Sequence, residues 1–328
     1  MSVTFLLNCY NEHKYIRDAV RSALNQDYEP LEILISDNHS TDGTLEIVQE
    51  EIARYSGGHA VRLLTNSENI GLENFARSVE AANGEFIIGA HGDDISYPSR
   101  ATCLVEAWRA TRVSLLSSNV EIIDEHSQAL RLINSGSEAK QITAHEFAKE
   151  GFSTYAHGAS LAWHRDVFEK FARLDQERLW SGHDHVLPFR ATLLNGHYYI
   201  AEPLLQWRVH GRNFGLEAAD RTQDKVVQRE NRKAYDLGAR ICMLNDLDEF
   251  IARSGKRPDL ATLRETLLEG IVSLTRSWSE TRNRLFAEGK RPTWVHRQEL
   301  EQHPNYGTRS EAGIAKKLYR KLIKLLKR

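Results

Sequence analysis

Two adjacent carboxylates, Asp93 and Asp94, follow the apolar run EFIIGA (residues 85–90), with only His91 and Gly92 between. Neighbouring carboxylates behind a buried strand repel one another unless a cation lies with them. A divalent ion held there could neutralise a diphosphate leaving group as a Lewis acid. Comparable polar sets close two other apolar runs. The first is Asn8-Cys9-Tyr10-Asn11-Glu12, the second Ser36-Asp37-Asn38-His39-Ser40. Within the second, Ser40, Thr41 and Asp42 read as turn formers and helix caps. A further set, His183-Asp184-His185, invites a metal reading, but neighbours on a helix point in different directions and cannot readily chelate one ion. Asp184 is then either a carboxylate that complements a helix dipole or a general base, and the residues alone leave both open. His13, His39, His126 and His145 read as surface or loop histidines.

These groups gain weight from the elements that must position them. Residues 3–9, 31–36, 61–64 and 85–90 have strand length and composition. The stretches 15–24, 42–55 and 71–82 between them carry apolar residues at helical spacing. Four strands with helical crossovers predict an α/β, doubly wound, mainly parallel sheet covered on both faces. In such a sheet ligands bind outside the carboxyl ends of the strands, where the polar sets fall. From 113 to 210 the pattern mixes short strands (114–119, 121–124, 130–133, 198–200, 204–209) with a helix over 183–194. Beyond residue 212 strand signals vanish, and 220–253 and 258–287 read as long charged helices. The expected organisation is a domain over 1–212 and a helical extension over 213–328.

Composition narrows the class. Of 328 residues, 41% are hydrophobic and 27% charged, as in a globular protein with a sizeable core. The net charge of -2 leaves no global basic field for nucleic acid. Cys9, Cys103 and Cys242 are three, widely spaced, and form no CxxC pair, which fits a reducing compartment. The N-terminus does not read as a signal peptide and no apolar run reaches the ~20 residues of a membrane span. A cytoplasmic protein is expected. No GxGxxG follows the first strand and no GxxxxGK occurs, so a Gly-rich loop does not hold a pyrophosphate.

Five stretches, in order, resemble family 2 glycosyltransferases of the GT-A fold over roughly residues 1–212. They are VTFLLNCYNE, ISDNHSTDGT, EFIIGAHGDDISYPSR, GASLAWHRDVF and GHDHVLPFRATLLNGHYYIAEPLLQWRVHG. The resemblance implies inverting transfer from a nucleotide-sugar. It gives Asn8, Tyr10, Asn11, Glu12, Asp37, His91 and Asp93 to the nucleotide. Asp93, Asp94 and His210 go to a divalent metal, Mn²⁺ or Mg²⁺, and Asp184 to the general base. His91 stands where the family's Asp-x-Asp motif begins with Asp. Trp163, Trp180, His183 and Trp207 are implied at the acceptor side, since aromatic faces suit sugar rings, although each Trp by itself reads as core.

The chemistry joins these groups. Cleaving an anomeric C–O bond leaves a diphosphate with extra negative charge, and the attacking hydroxyl must lose a proton. A carboxylate can accept it, worth ~10²–10⁴-fold. One base and no nucleophile imply a single displacement with inversion. The implied acceptor is a saccharide or lipid-linked saccharide, with bacterial surface polysaccharide as the setting. Two alternatives are a metal-dependent nucleotidyltransferase and a non-catalytic nucleotide-sugar-binding module.

The tail adds a separate signal. Ile314, Leu318, Leu322, Leu325 and Leu326 recur at helical spacing, and Lys316, Lys317, Arg320, Lys321, Lys324, Lys327 and Arg328 occupy the remaining surface. A basic amphipathic helix over 314–328 suits an anionic membrane surface, or packs on the body or on a second copy of the chain.

Overall fold

The computed structural model describes residues 2–174, 183–210, 225–255 and 258–287. Residues 1–211 and 235–276 form one compact unit, and the remainder of the chain falls in a second.

The first unit is a mixed α/β sheet with helices on both faces. Its opening half alternates strictly: β1 (Val3–Cys9), α1 (Ile16–Leu24), β2 (Glu32–Asp37), α2 (Thr44–Arg54), β3 (Ala60–Thr65), α3 (Leu72–Ala81), β4 (Phe86–His91). There follow β5 (Ile95–Ser96), α4 (Arg100–Thr111), β6 (Leu115–Ile123), β7 (Ala129–Leu132), β8 (Lys140–Ile142) and α5 (Ala144–Glu150). A 3₁₀ turn (Gly158–Ser160), β9 (Ala162–His164), α6 (Asp166–Glu169), α7 (His183–Leu193) and β10 (His197–Arg208) complete the sheet region. Two long helices, α8 (Lys225–Ser254) and α9 (Pro258–Ala287), come last. The sheet order is β3-β2-β1-β4-β9-β6-β10-β5, with β7 beside β6 and β8 beside β10.

The β3-β2-β1-β4 block is parallel throughout, and its register levels the strand ends: Asn8 lies opposite both Ser36 and His91, and Cys9 opposite Asp37. Both faces of β1, β2 and β4 are buried, as helix-covered parallel strands must be, while β3 at the sheet edge stays partly exposed. Phe5, Leu7, Ile33, Ile35, Phe86 and Ile88 share one core with Ile16, Val20, Leu104 and Val105 of α1 and α4. Each such side chain removed from water contributes about 1.5–3 kcal/mol, which is what seats α1 and α4 on this face.

Beyond β4 the sheet becomes mixed. The antiparallel strand β9, absent from the sequence reading, is inserted between β4 and β6. The two strands expected over 114–119 and 121–124 are one, β6. Its buried Ser117, Ser118 and Asn119 interrupt the apolar pattern without ending the strand, because their side chains bond to Tyr155 O, Asn119 O and Asn134 O. Likewise 198–200 and 204–209 belong to a single β10, whose register shifts around Pro203.

Helix α7 is locked from behind. Arg190 Nε and Nη2 donate to both carboxylate oxygens of Asp246 on α8, at 2.7 and 2.9 Å. Arg240 Nη1 and Nη2 donate to Ala148 O and Lys149 O of α5. Leu237, Ile241, Leu244 and Leu247 of α8, with Leu263, Leu267 and Ile271 of α9, are buried in this unit. In the second unit Lys233 Nζ donates to Ser277 Oγ at 2.8 Å. No helix among the described residues is long and apolar enough to cross a membrane.

Candidate active site

The carboxyl end of β4 delivers the acidic set. Donor atoms of His91, Asp93 and Asp94 all lie within 4.8 Å of one another, the spread that one cation could bridge. His91 Nδ1 is 3.6 Å from Asp94 Oδ2, and His210, just past β10, brings Nε2 to 3.1 Å from Asp93 Oδ2. Asp94 is nearly inaccessible. Its Oδ1 accepts the Arg208 amide at 3.0 Å, while Oδ2 is buried without a hydrogen-bond partner. Burial and the Asp93 charge push the Asp94 carboxyl up to about 6, against the pull of His91. Burial opposes a proton on His91. The ring is still 43% exposed, and the adjacent Asp94 carboxylate, followed by the charge of Asp93, carries its pKa above the ordinary histidine value.

Glu12 lies beneath this set. A Cβ on Gly92 would come within 2.7 Å of Cys9 Cβ and would collide with Glu12 Oε2. Only glycine lets the strand end close over that carboxyl. Burial, then the charges of Asp93 and Asp94, raise the Glu12 carboxyl well above the usual range, and its Oε2 has no hydrogen-bond partner. The other counter-charge, Arg208, is 1% exposed. Its Nε donates to Asp93 O at 2.9 Å, its Nη1 to Ser127 Oγ at 2.8 Å, and it lies over the Tyr15 ring. A cluster of carboxylates with an orphaned buried oxygen beside an imidazole fits a divalent cation.

The nucleotide residues assigned from the sequence occupy the adjacent strand ends. Asp37 is fully buried and its Oδ2 accepts the Ser40 amide at 2.9 Å. Asn11, at φ 55°, accepts the Thr41 amide and donates its own amide to Ser40 Oγ. Tyr10 is 42% exposed at the rim. Asn8 turns sideways: its Oδ1 accepts Asn74 Nδ2 at 3.2 Å and Ser78 Oγ at 3.1 Å from α3. An asparagine network unnoticed in the sequence continues from there. Asn66 donates to Asn74 and Asn38, and Asn38 donates to Asn69, tying the loop before α3 to the end of β2.

Asp184 stands in the first turn of α7, and its Oδ2 would be 3.1 Å from a Cβ on Gly158. His157, which the sequence reading did not single out, immediately precedes Gly158 and feels the charges of both Asp184 and His91. Burial holds its ring neutral, with a pKa down to about 4, while the charges of Asp184 and His91 act on it in opposite directions. Trp207 meets that ring edge-on at 4.6 Å. His183 packs against Phe75 at 4.7 Å. Trp163 faces the core instead of the site. It is 2% exposed, set against the bare Cα of Gly89 and packed on Phe75 and Phe168, so its faces are already covered by protein. Trp180 lies outside the described residues, as does the tail over 314–328.

The sequence and the fold are matched by known proteins. The model of the family described as Glycosyl transferase family 2 matches residues 4–171. An uncharacterized glycosyltransferase of Nostoc sp. is 23% identical over 260 residues, 78% of this chain and 77% of that protein. The dolichyl N-acetyl-alpha-D-glucosaminyl phosphate 3-beta-D-2,3-diacetamido-2,3-dideoxy-beta-D-glucuronosyltransferase of Methanococcus voltae is 28% identical over 170 residues, 49% of this chain and 47% of that protein. Among solved structures, S. aureus TarS 1–349 in complex with UDP-GlcNAc is similar in fold, with TM-score 0.53 and 14% identity over 84% of this chain and 81% of that one. The mannosyltransferase PcManGT of Pyrobaculum calidifontis, with GDP-Man and Mn²⁺, has TM-score 0.50 and 16% identity over 99% of this chain and 86% of that one. The fold is that of GT-A glycosyltransferases, and the chain belongs to glycosyl transferase family 2.

Proposed function

We propose that this glycosyltransferase moves a sugar, with inversion, from a UDP- or dTDP-linked donor to a saccharide or lipid-linked saccharide in the synthesis of bacterial surface polysaccharide. What supports the reading is that Asp37 ends β2 beside the β1 turn, where a nucleoside would lie, that His91, Asp93 and Asp94 cluster at the end of β4 for the diphosphate, and that Asp184 opens α7 against Gly158 for the acceptor.

His91, Asp93 and Asp94 would hold a divalent cation, with His210 joined to them through Asp93. Such an ion supplies Lewis-acid stabilisation of the charge on the departing diphosphate. The M. voltae relative, named for a dolichyl-phosphate-linked sugar, supports a lipid-linked acceptor. Asp184 accepts the proton of the attacking hydroxyl. Gly158 lets the backbone approach that carboxylate closely, and the Arg190–Asp246 pair fixes the helix that bears it. A single base and no nucleophile give inversion.

Thermal stabilisation by a panel of nucleotide-sugars, with Mn²⁺ or with chelator, tests the donor. Ligand at ~100 times its Kd adds ~2.7 kcal/mol. NMR of the first-formed product tests the stereochemistry. Retention at the anomeric carbon, or a panel without any stabilising nucleotide-sugar, rejects the proposal.

A further inference from the structure

His157 has features that the fold alone does not require. Its backbone is pinned: His157 O accepts both Ser160 N and Ser160 Oγ at 2.8 Å, and buried Arg100 clamps the next turn by donating from Nη2 to Ala159 O at 2.9 Å and Gly89 O at 2.7 Å. The ring is therefore held in place without help from its own nitrogens. Its packing on Trp207 uses ring shape only, and Nδ1 is buried without a hydrogen-bond partner. A phenylalanine would satisfy the same packing without the cost of burying an unbonded nitrogen. His157 is also half-buried rather than enclosed, and the next residue, Gly158, lies against the Asp184 carboxylate. A neutral imidazole offers one donor and one acceptor, a match for a sugar hydroxyl.

We propose that His157 hydrogen-bonds a hydroxyl of the transferred sugar, between Asp184 and the His91–Asp93–Asp94 set, and so helps decide which sugar is accepted. This rests on the assignment of those two groups to acceptor and diphosphate made above. The position follows from what lies on either side. The diphosphate is held by one neighbour and the incoming hydroxyl by the other, so the group in transit passes this ring. A site that hydrogen-bonds a substrate hydroxyl also rejects analogues lacking it, because its own polar group is then left unpaired.

The test uses the full chain and compares affinity for a nucleoside diphosphate with that for the corresponding nucleotide-sugar, both with Mn²⁺. His157→Phe keeps the ring packed on Trp207. It should leave nucleoside diphosphate affinity within about twofold and weaken the nucleotide-sugar about tenfold, the loss of one hydrogen bond. His157→Gln, whose amide reaches the outer edge of the imidazole, should recover part of that loss. His157→Leu serves if the Phe variant melts early. Equal loss for both ligands would mark a structural role and overturn the inference. So would a Phe variant that matches wild type on both, while a wild-type chain that binds no nucleotide-sugar would sink the proposed function along with it.

Discussion

Adding one methyl group at Gly158 moves the proposed base without touching its chemistry. The backbone there is not at positive φ, so alanine costs no conformational strain. Its Cβ would stand 3.1 Å from Asp184 Oδ2 and 3.3 Å from Asp184 Cβ, tighter than the ordinary contact range that begins at 3.4 Å. The carboxylate must therefore retreat by roughly 0.3 Å, and where ~1 Å of misplacement costs ~10²-fold, that retreat costs about fourfold in kcat. The nucleotide site is not involved, so donor affinity should hold. Steady-state transfer kinetics, paired with donor binding by calorimetry, measure both quantities in Gly158→Ala and in Asp184→Asn. The Asn variant should lose ~10²-fold or more, as expected for a missing general base. If it is that impaired while Gly158→Ala transfers at the wild-type rate, the packing argument is wrong. If Gly158→Ala instead loses donor affinity in step with rate, the turn belongs to the donor site.

Asp93→Ala should abolish the difference in donor binding between Mn²⁺ and chelator while leaving the unliganded melting temperature within a few degrees. Wild-type turnover at limiting Mn²⁺ would reject the assignment. His197 is 0% exposed, and burial drops its pKa to about 3. A histidine held neutral contributes its full stability above the free value near 6.5 and loses ~1.4 kcal/mol per pH unit as pH falls toward the folded value. Urea unfolding should therefore show His197→Phe gaining about 2 kcal/mol on wild type between pH 7 and pH 5, and a gap that ignores pH would contradict the burial argument. Truncation after Glu311 should release the chain from anionic vesicles. High salt should loosen the intact chain, and co-sedimentation indifferent to lipid charge would reject electrostatic docking of the tail.

The parallel block was legible because β1, β2 and β4 are buried on both faces and each crossover helix is amphipathic, so the apolar periods changed cleanly from one element to the next. The strand-end groups followed from it, since a parallel sheet puts Asn8, Ser36 and His91 in one row once its order is known. Later elements were harder for definite reasons. Ser117, Ser118 and Asn119 are polar yet buried, and only their hydrogen-bond partners, those of Ser117 and Asn119 distant in sequence, explain why β6 continues through them. β9 is three residues long, too short to show a period. The resemblance implied Trp163 at the acceptor side, whereas by itself it read as core; the close approach of Gly89 that draws it inward has no local signature. Arg208 and His157 owe their importance to neighbours brought in from β4, α1 and α7. Their types alone say nothing of this, though the Arg-x-His spacing of Arg208 and His210, at and just past the end of β10, is that of two residues on one side of a strand.

The pairing of Arg190 with Asp246 has a consequence for anyone who would shorten the chain. A single cut near residue 212, where strand signals end, would seem to free a self-sufficient module. The compact unit instead resumes at residue 235 and runs to 276. Severing there would strand a guanidinium only 4% exposed without its carboxylate, a loss of ~3–5 kcal/mol for a broken buried pair. It would also bare the apolar surfaces that Leu237, Ile241, Leu244 and Leu247 cover. Against a typical total of ~5–15 kcal/mol, little would remain. The compact unit is thus discontinuous along the chain: trimming near residue 212 removes part of it, whereas trimming after residue 276 keeps all of it.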